Sequence, residues 1–67
     1  MFKIDVNFVL ETVKRDDVTV IAERSGLSFP TAKALLTGDA SLSLYSVEKF
    51  AAAYGVPGNK VLIWVAP

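Results

Sequence analysis

Three isolated glycines divide the chain into segments of helical length. Gly26, Gly38 and Gly55 each follow a stretch in which apolar residues recur at helical spacing. A glycine directly after such a stretch is typical of a helix C-terminus, where the backbone turns into the left-handed conformation. The glycines therefore predict a series of short helices that end at about these three positions.

The segments that end at these glycines begin with polar residues that can cap a helix. The pattern predicts helices over residues 17–25, 28–37 and 43–54. Pro30 falls in the first turn of the second helix, where its missing N–H costs no hydrogen bond. The predicted capping residues are Asp16 or Asp17, Ser28, and Ser41 or Ser43. The residues predicted to face the core are Val18, Ile21 and Ala22, then Ala32, Leu35 and Leu36, and then Leu44, Val47, Phe50, Ala51 and Tyr54.

The N-terminal residues carry two overlapping patterns. Residues 2–8 alternate between apolar and polar side chains, which is typical of a strand, while residues 6–13 also place apolar side chains at helical spacing. We expect a short strand at about Phe2–Ile4 that leads into a helix at about Val6–Lys14, capped by Asp5. A single strand or a single helix over the first ten residues is the alternative that the pattern leaves open.

A β-branched and aromatic run lies near the C-terminus. Residues 60–65 follow the turn dipeptide Pro57-Gly58 and predict a strand. A chain of 67 residues forms one domain, because it has no room for a second core. The expected fold is therefore a single α+β domain over residues 1–67, with four helices, a short N-terminal strand and a C-terminal strand at about 60–65.

The composition excludes several classes of function. The chain has neither cysteine nor histidine, which excludes disulfides, the common zinc sites and a nucleophile–base pair built on either residue. The adjacent carboxylates of Asp16 and Asp17 are better explained as helix capping than as an acid–base pair. We therefore expect no enzymatic activity, no metal site and no cofactor.

Charge and hydropathy bear on the partners. The seven basic and seven acidic residues give zero net charge, which counts against nucleic-acid binding without excluding it, since a dipolar domain can present one basic face. Apolar residues make up 52% of the chain, so part of the surface is expected to contact a partner, most simply a second copy. The longest apolar runs are too short to span a bilayer, and no secretory signal is expected, which favours the cytosol.

The central half of the chain resembles a known family of DNA-binding proteins. Residues Ile21–Val56 read IAERSGLSFPTAKALLTGDASLSLYSVEKFAAAYGV. They contain A-E-[KR]-S-G-[LV]-S at Ala22–Ser28, T-x-x-x-[LI] at Thr31–Leu35, and S-L-x-[ST]-[VL]-E-K-[FI]-A-x-A-x-G-V at Ser43–Val56. In order and spacing, these motifs resemble the Cro/cI-type, or XRE-family, helix-turn-helix repressors of phages and bacteria. The strands expected at both ends make the chain more similar to Cro than to the all-helical members.

The resemblance implies a function and a set of contact residues. It implies a repressor that binds operator DNA as a homodimer through the C-terminal strand and occludes a promoter, in the cytosol of a bacterium or a phage-infected cell. The helix over residues 28–37 corresponds to the recognition helix, which enters the major groove. The implied DNA-binding residues are Phe29, Pro30, Lys33 and Ala34 toward the bases, Val18, Thr37 and Ser43 at phosphates, Ser28 and Thr31 at the helix start, and Arg24 beside the groove. The implied dimer residues are Leu62, Ile63, Trp64 and Val65.

Departures from the family pattern leave a second function open. Val18 lies where the family often has a glutamine that contacts phosphate, and Ala34 lies where it often has a base-reading arginine or glutamine. Lys33 is then the one long polar side chain left to read a base, and it can also be simply solvated. The alternative is a protein-interaction module, or an antitoxin, that binds a protein partner through the face around Phe29.

Two features of a structure discriminate between DNA binding and protein binding, and a third concerns the dimer interface. DNA binding predicts that Arg15, Arg24 and Lys33 cluster on one face with the acidic residues elsewhere. Protein binding predicts an exposed apolar patch at Phe29 among mixed charges, unless Phe29 folds back onto its neighbours. Exposure of Trp64 favours a dimer interface, whereas burial indicates that it covers the core of its own chain.

Overall fold

Five helices and a two-stranded sheet make up the described residues, 2–39 and 41–66, of the computed structural model. The elements in chain order are β1 (Phe2–Ile4), α1 (Val6–Val13), α2 (Val18–Ser25), α3 (Phe29–Thr37), α4 (Leu44–Tyr54), α5 (Gly58–Val61) and β2 (Leu62–Trp64). The protein is thus a small α+β domain, as the sequence predicted. None of these helices is long and apolar enough to cross a membrane.

Four of the helices begin at side-chain caps. In each, the backbone N–H three residues further on donates a hydrogen bond to the oxygen of the capping side chain, which satisfies one of the free donors at the helix start. Asp17 rather than Asp16 caps α2, and Ser43 rather than Ser41 caps α4. The capping bonds are Phe8 N–H to Asp5 at 3.1 Å, Val20 N–H to Asp17 at 3.0 Å, Thr31 N–H to Ser28 at 3.3 Å and Ser46 N–H to Ser43 at 3.2 Å.

The three helices predicted to end at a glycine do so. Gly26, Gly38 and Gly55 are left-handed, with φ of 67°, 75° and 65°. Gly38 has a second reason to lack a side chain, because a Cβ there would lie 2.9 Å from Cγ2 of Val6. The absence of that carbon lets the end of α3 approach α1 closely.

The sheet joins the two ends of the described chain. Strands β1 and β2 are antiparallel, and the residue pairs are Phe2 with Trp64, Lys3 with Ile63, and Ile4 with Leu62. Ile4 is buried, whereas Phe2 and Lys3 are exposed, so β1 reaches the core only at its Ile4 end. The N-terminal expectation of a strand followed by a helix is confirmed.

The expectation of four helices and a strand over 60–65 was wrong. Lys60 and Val61 lie in the fifth helix, α5, and β2 covers only Leu62–Trp64. The extended backbone of Pro57 begins a single helical turn, in which the Lys60 N–H donates to the Pro57 carbonyl at 3.1 Å. The β-branched Val61 is fully buried in the core from this turn. The β-branched side chain there therefore indicated a buried position and not a strand.

The core lies among the helices and is closed by Val61. Its largest fully buried side chains are Phe50, Ile21, Leu35, Val9, Val47 and Val61. One residue predicted to face the core does not: Leu44 is 61% exposed. It is the first residue of α4 and lies at the edge of the core, where it lines a surface groove.

Candidate nucleic-acid interface

A turn of three residues, Gly26 to Ser28, joins α2 to α3. The Leu27 N–H donates to the Ala22 carbonyl at 3.0 Å, which closes the end of α2. The Nζ of Lys49, from α4, donates to the Gly26 carbonyl at 2.9 Å. The turn is therefore held both by its own backbone and by a side chain from the helix that packs behind it. Lys49 was not among the predicted site residues, and the sequence pattern contains no signal for this contact across the fold.

Helix α3 has a buried side and an open side. Ala32 and Leu35 are fully buried, while Phe29, Pro30, Lys33 and Thr37 are exposed and Thr31 and Ala34 are half-buried. Phe29 is 53% exposed. The residues predicted to face DNA bases therefore share the solvent-facing side of one helix, with Ala34 the most covered of them.

Most hydroxyl groups of this region already form hydrogen bonds within the helices. The oxygens of Ser28 and Thr31 are 2.8 Å apart, and Thr37 donates to the Ala34 carbonyl at 3.3 Å. At the start of α4, the oxygens of Ser43 and Ser46 are 3.0 Å apart. On the open side of α3, Lys33 is then the one residue with a long polar side chain.

A recess of about 380 Å³ separates the start of α3 from the start of α4. It is lined in part by Thr31, Asp39 and Ser43. The N–H of Ser41 donates to Oδ1 of Asp39 at 2.9 Å, and this hydrogen bond lowers the pKa of Asp39. The recess therefore carries a negative charge at neutral pH beside Ser43, which opposes a phosphate contact there.

Arg24 does not stand free beside α3. Its Nη1 forms a salt bridge with Oδ2 of Asp16 at 3.0 Å, and its guanidinium lies 4.5 Å from the ring centre of Tyr54. The Tyr54 hydroxyl donates to the same carboxylate oxygen at 2.8 Å. Burial, followed by the hydrogen bond to Asp16, raises the pKa of Tyr54 to about 12. This cluster joins α2 to the end of α4, and Asp16 offsets the charge that Arg24 would offer to DNA.

Three of the basic residues lie beside one another. Lys14, Arg15 and Arg24 line one recess of about 480 Å³ together with Asp16, and Lys33 is not part of its lining. Arg15 and Arg24 therefore lie close together at this recess. The open side of α3 itself combines one lysine with an exposed phenylalanine.

The residues predicted to form a dimer interface differ in exposure. Leu62 packs against the core of its own chain, while Ile63 and Val65 are half-buried. Trp64 is 64% exposed and contacts Phe2 edge to face, with ring centres 5.1 Å apart. Trp64 therefore does not serve as a buried core residue of the single chain.

An apolar groove of about 620 Å³ lies beside the sheet. Phe2, Leu42, Leu44, Val47 and Leu62 supply its apolar walls. The sequence did not predict this groove, because it joins residues from both ends of the chain to the start of α4. Within the described residues, no group of three acidic side chains is placed to hold a metal ion.

Comparisons with protein-family models, with curated proteins and with solved structures found no match.

Proposed function

We propose that the protein is a Cro-like helix-turn-helix regulator that binds operator DNA as a homodimer. The observation that carries this proposal is the unit formed by α2, its tight turn and α3, in which the open side of α3 presents Phe29, Pro30 and Lys33 to solvent. A convex helix of this length fits the major groove, which admits one α-helix. The resemblance of residues Ile21–Val56 to the Cro/cI-type family supports the same arrangement.

In this proposal α3 lies in the major groove and α2 crosses the DNA backbone. Lys33 donates hydrogen bonds to O6 or N7 of a guanine, and one such contact gives little discrimination by itself. Phosphate contacts and the shape of the operator supply the remaining specificity. In this proposal the protein represses by occupying the promoter, because it blocks the polymerase there. It needs no cofactor and acts in the cytosol of a bacterium or a phage-infected cell.

Two features support a homodimer. A two-stranded sheet is only marginally stable by itself, and Trp64 and Phe2 lie exposed on the sheet. The apolar groove beside them, with Leu44 on its wall, offers further surface that a second copy covers. Pairing through β2 would present two copies of α3 to half-sites about one helical turn, or 34–36 Å, apart.

A protein-interaction module is the second candidate. It is favoured by the exposure of Phe29 and of Val20 on α2 and by the zero net charge. The salt bridge between Arg24 and Asp16 also favours it, because that pair reduces the positive charge available to phosphates. In this second proposal the occupant of the Phe29 face is a protein, as for an antitoxin.

Selection from a random pool of duplex DNA, at low and at physiological salt, distinguishes the two candidates. An operator-binding dimer enriches a palindrome with half-sites one helical turn apart. Lys33→Ala then relaxes the preference at one base position in each half-site, whereas Lys60→Ala, which removes an exposed lysine of α5, leaves it unchanged. Failure to retain any duplex at low salt would overturn the operator-binding proposal and leave the protein partner as the candidate.

A further inference from the structure

We infer that the open side of α3 recognises the C5-methyl groups of pyrimidines in the major groove, and that Phe29 is the residue that selects them. This inference rests on the proposed function, because it names what the recognition helix reads. It goes beyond that function by naming the chemical group of the operator that Phe29 contacts.

The inventory of side chains on α3 leads to this inference. The hydroxyls of Ser28, Thr31 and Thr37 form hydrogen bonds within the helix and its cap. Lys33 alone extends a charged donor from the open side. What remains is an apolar surface that begins at Phe29 and continues to Pro30 in the same turn.

The major groove presents few groups that such a surface can contact favourably. Base pairs offer hydrogen-bond donors and acceptors there, and the apolar group is the C5-methyl of thymine. A 5-methylcytosine carries a methyl at the same ring position. The chemistry that fits Phe29 is therefore a C5-methyl pyrimidine, which these two bases share.

The spacing on the helix places this contact relative to the one made by Lys33. Phe29 and Lys33 are four residues apart, so their Cβ atoms are neighbours, about 5–6 Å apart on one face of α3. Successive base pairs rise by about 3.4 Å. The methylated pyrimidine is then expected within one or two base pairs of the guanine that Lys33 contacts.

The test compares bases that differ only by this methyl group. Duplexes retained from the random pool are resynthesised with deoxyuridine in place of each thymidine in turn, and their affinities are measured. Loss of one contacted methyl should weaken binding roughly fourfold, the effect of exposing one buried methyl-sized group. Phe29→Ala should bind thymine and uracil duplexes equally, while Leu10→Ala, which removes a comparably exposed side chain from α1, should keep the difference.

A second arm identifies the source of the methyl group. Replacing the sensitive thymine–adenine pair by 5-methylcytosine–guanine, with the unmethylated pair as reference, asks whether methylated cytosine restores affinity. A gain on methylation that Phe29→Ala abolishes extends the recognition to both bases, and no gain restricts it to thymine.

The inference and the proposed function fail in different ways. Retained duplexes that bind equally with thymine and uracil at every position overturn the methyl contact alone. A thymine preference that persists in Phe29→Ala, with the fold intact by circular dichroism, overturns the role of Phe29. If no duplex is retained, the proposed function fails and the inference fails with it.

Discussion

Replacing Gly38 by alanine should destabilise the protein more than the same change at Gly55. Both glycines end a helix in nearly the same conformation, with φ and ψ of 75° and 30° at Gly38 and of 65° and 32° at Gly55. An alanine in this conformation costs about 1–2 kcal/mol, partly offset by its lower entropy in the unfolded chain. This part of the effect is common to both sites.

The two sites differ in what the new methyl group meets. Nothing lies within 4 Å of a Cβ at Gly55, whereas a Cβ at Gly38 would lie 2.9 Å from Cγ2 of Val6. Val6 is the first residue of α1 and is stiff at χ1, so α1 and α3 must move apart. Overpacking of this kind typically costs about a further 1–3 kcal/mol. Gly38→Ala should then lose about 2–4 kcal/mol and Gly55→Ala about 1 kcal/mol.

Urea unfolding followed by far-ultraviolet circular dichroism measures both losses. For a domain of this size each kcal/mol lowers the Tm by about 4–8 °C, so thermal unfolding should separate the two variants clearly. Adding Val6→Ala removes the clashing methyl, so the double variant with Gly38→Ala should lose less than the sum of the two single changes. Equal losses at Gly38 and Gly55, or strict additivity with Val6→Ala, would refute the close approach of α3 to α1.

Two further predictions concern contacts that hold α4 against α2. Lys49→Met keeps the apolar stem but removes the hydrogen bond to the Gly26 carbonyl, so it should lower the free energy of unfolding by about 1 kcal/mol in urea, and Lys60→Met should have no such effect. An unchanged stability in Lys49→Met would show that the bond contributes nothing. Because the pKa of Tyr54 is raised from 10.0 to about 12, its contribution to stability should be complete below pH 10 and should be lost as the pH rises through 12. Tyr54→Phe should show a smaller decline over this range, and an identical decline in both proteins would contradict the contact with Asp16.

The helices that local chemistry defines were the predictable part of the fold. Capping side chains such as Ser28 and left-handed glycines such as Gly38 act within a few residues of themselves, so their positions predict where α2, α3 and α4 begin and end. The expectation failed at α5, because a β-branched residue such as Val61 suits a buried helical turn as well as a strand. Tertiary packing decided between the two.

The candidate site was predictable only in part. The family resemblance placed Phe29 and Lys33 on the outer side of α3, and the structure finds both exposed. The partners of Arg24 could not be predicted, because Tyr54 lies 38 residues from Asp16 in the chain and the three side chains meet only in the folded domain. The same holds for Lys49 and Gly26, which are 23 residues apart.

The central claim is that the open side of α3 contacts DNA, and amide chemical shifts of the isotope-labelled protein test it most directly. The protein is titrated with a retained duplex or, if none is retained, with a mixed-sequence duplex at low salt. The largest shift changes are expected at Phe29, Lys33 and the preceding turn, with α1 little affected. Unchanged shifts on α3, or changes confined to the groove beside Phe2 and Leu44, would contradict it.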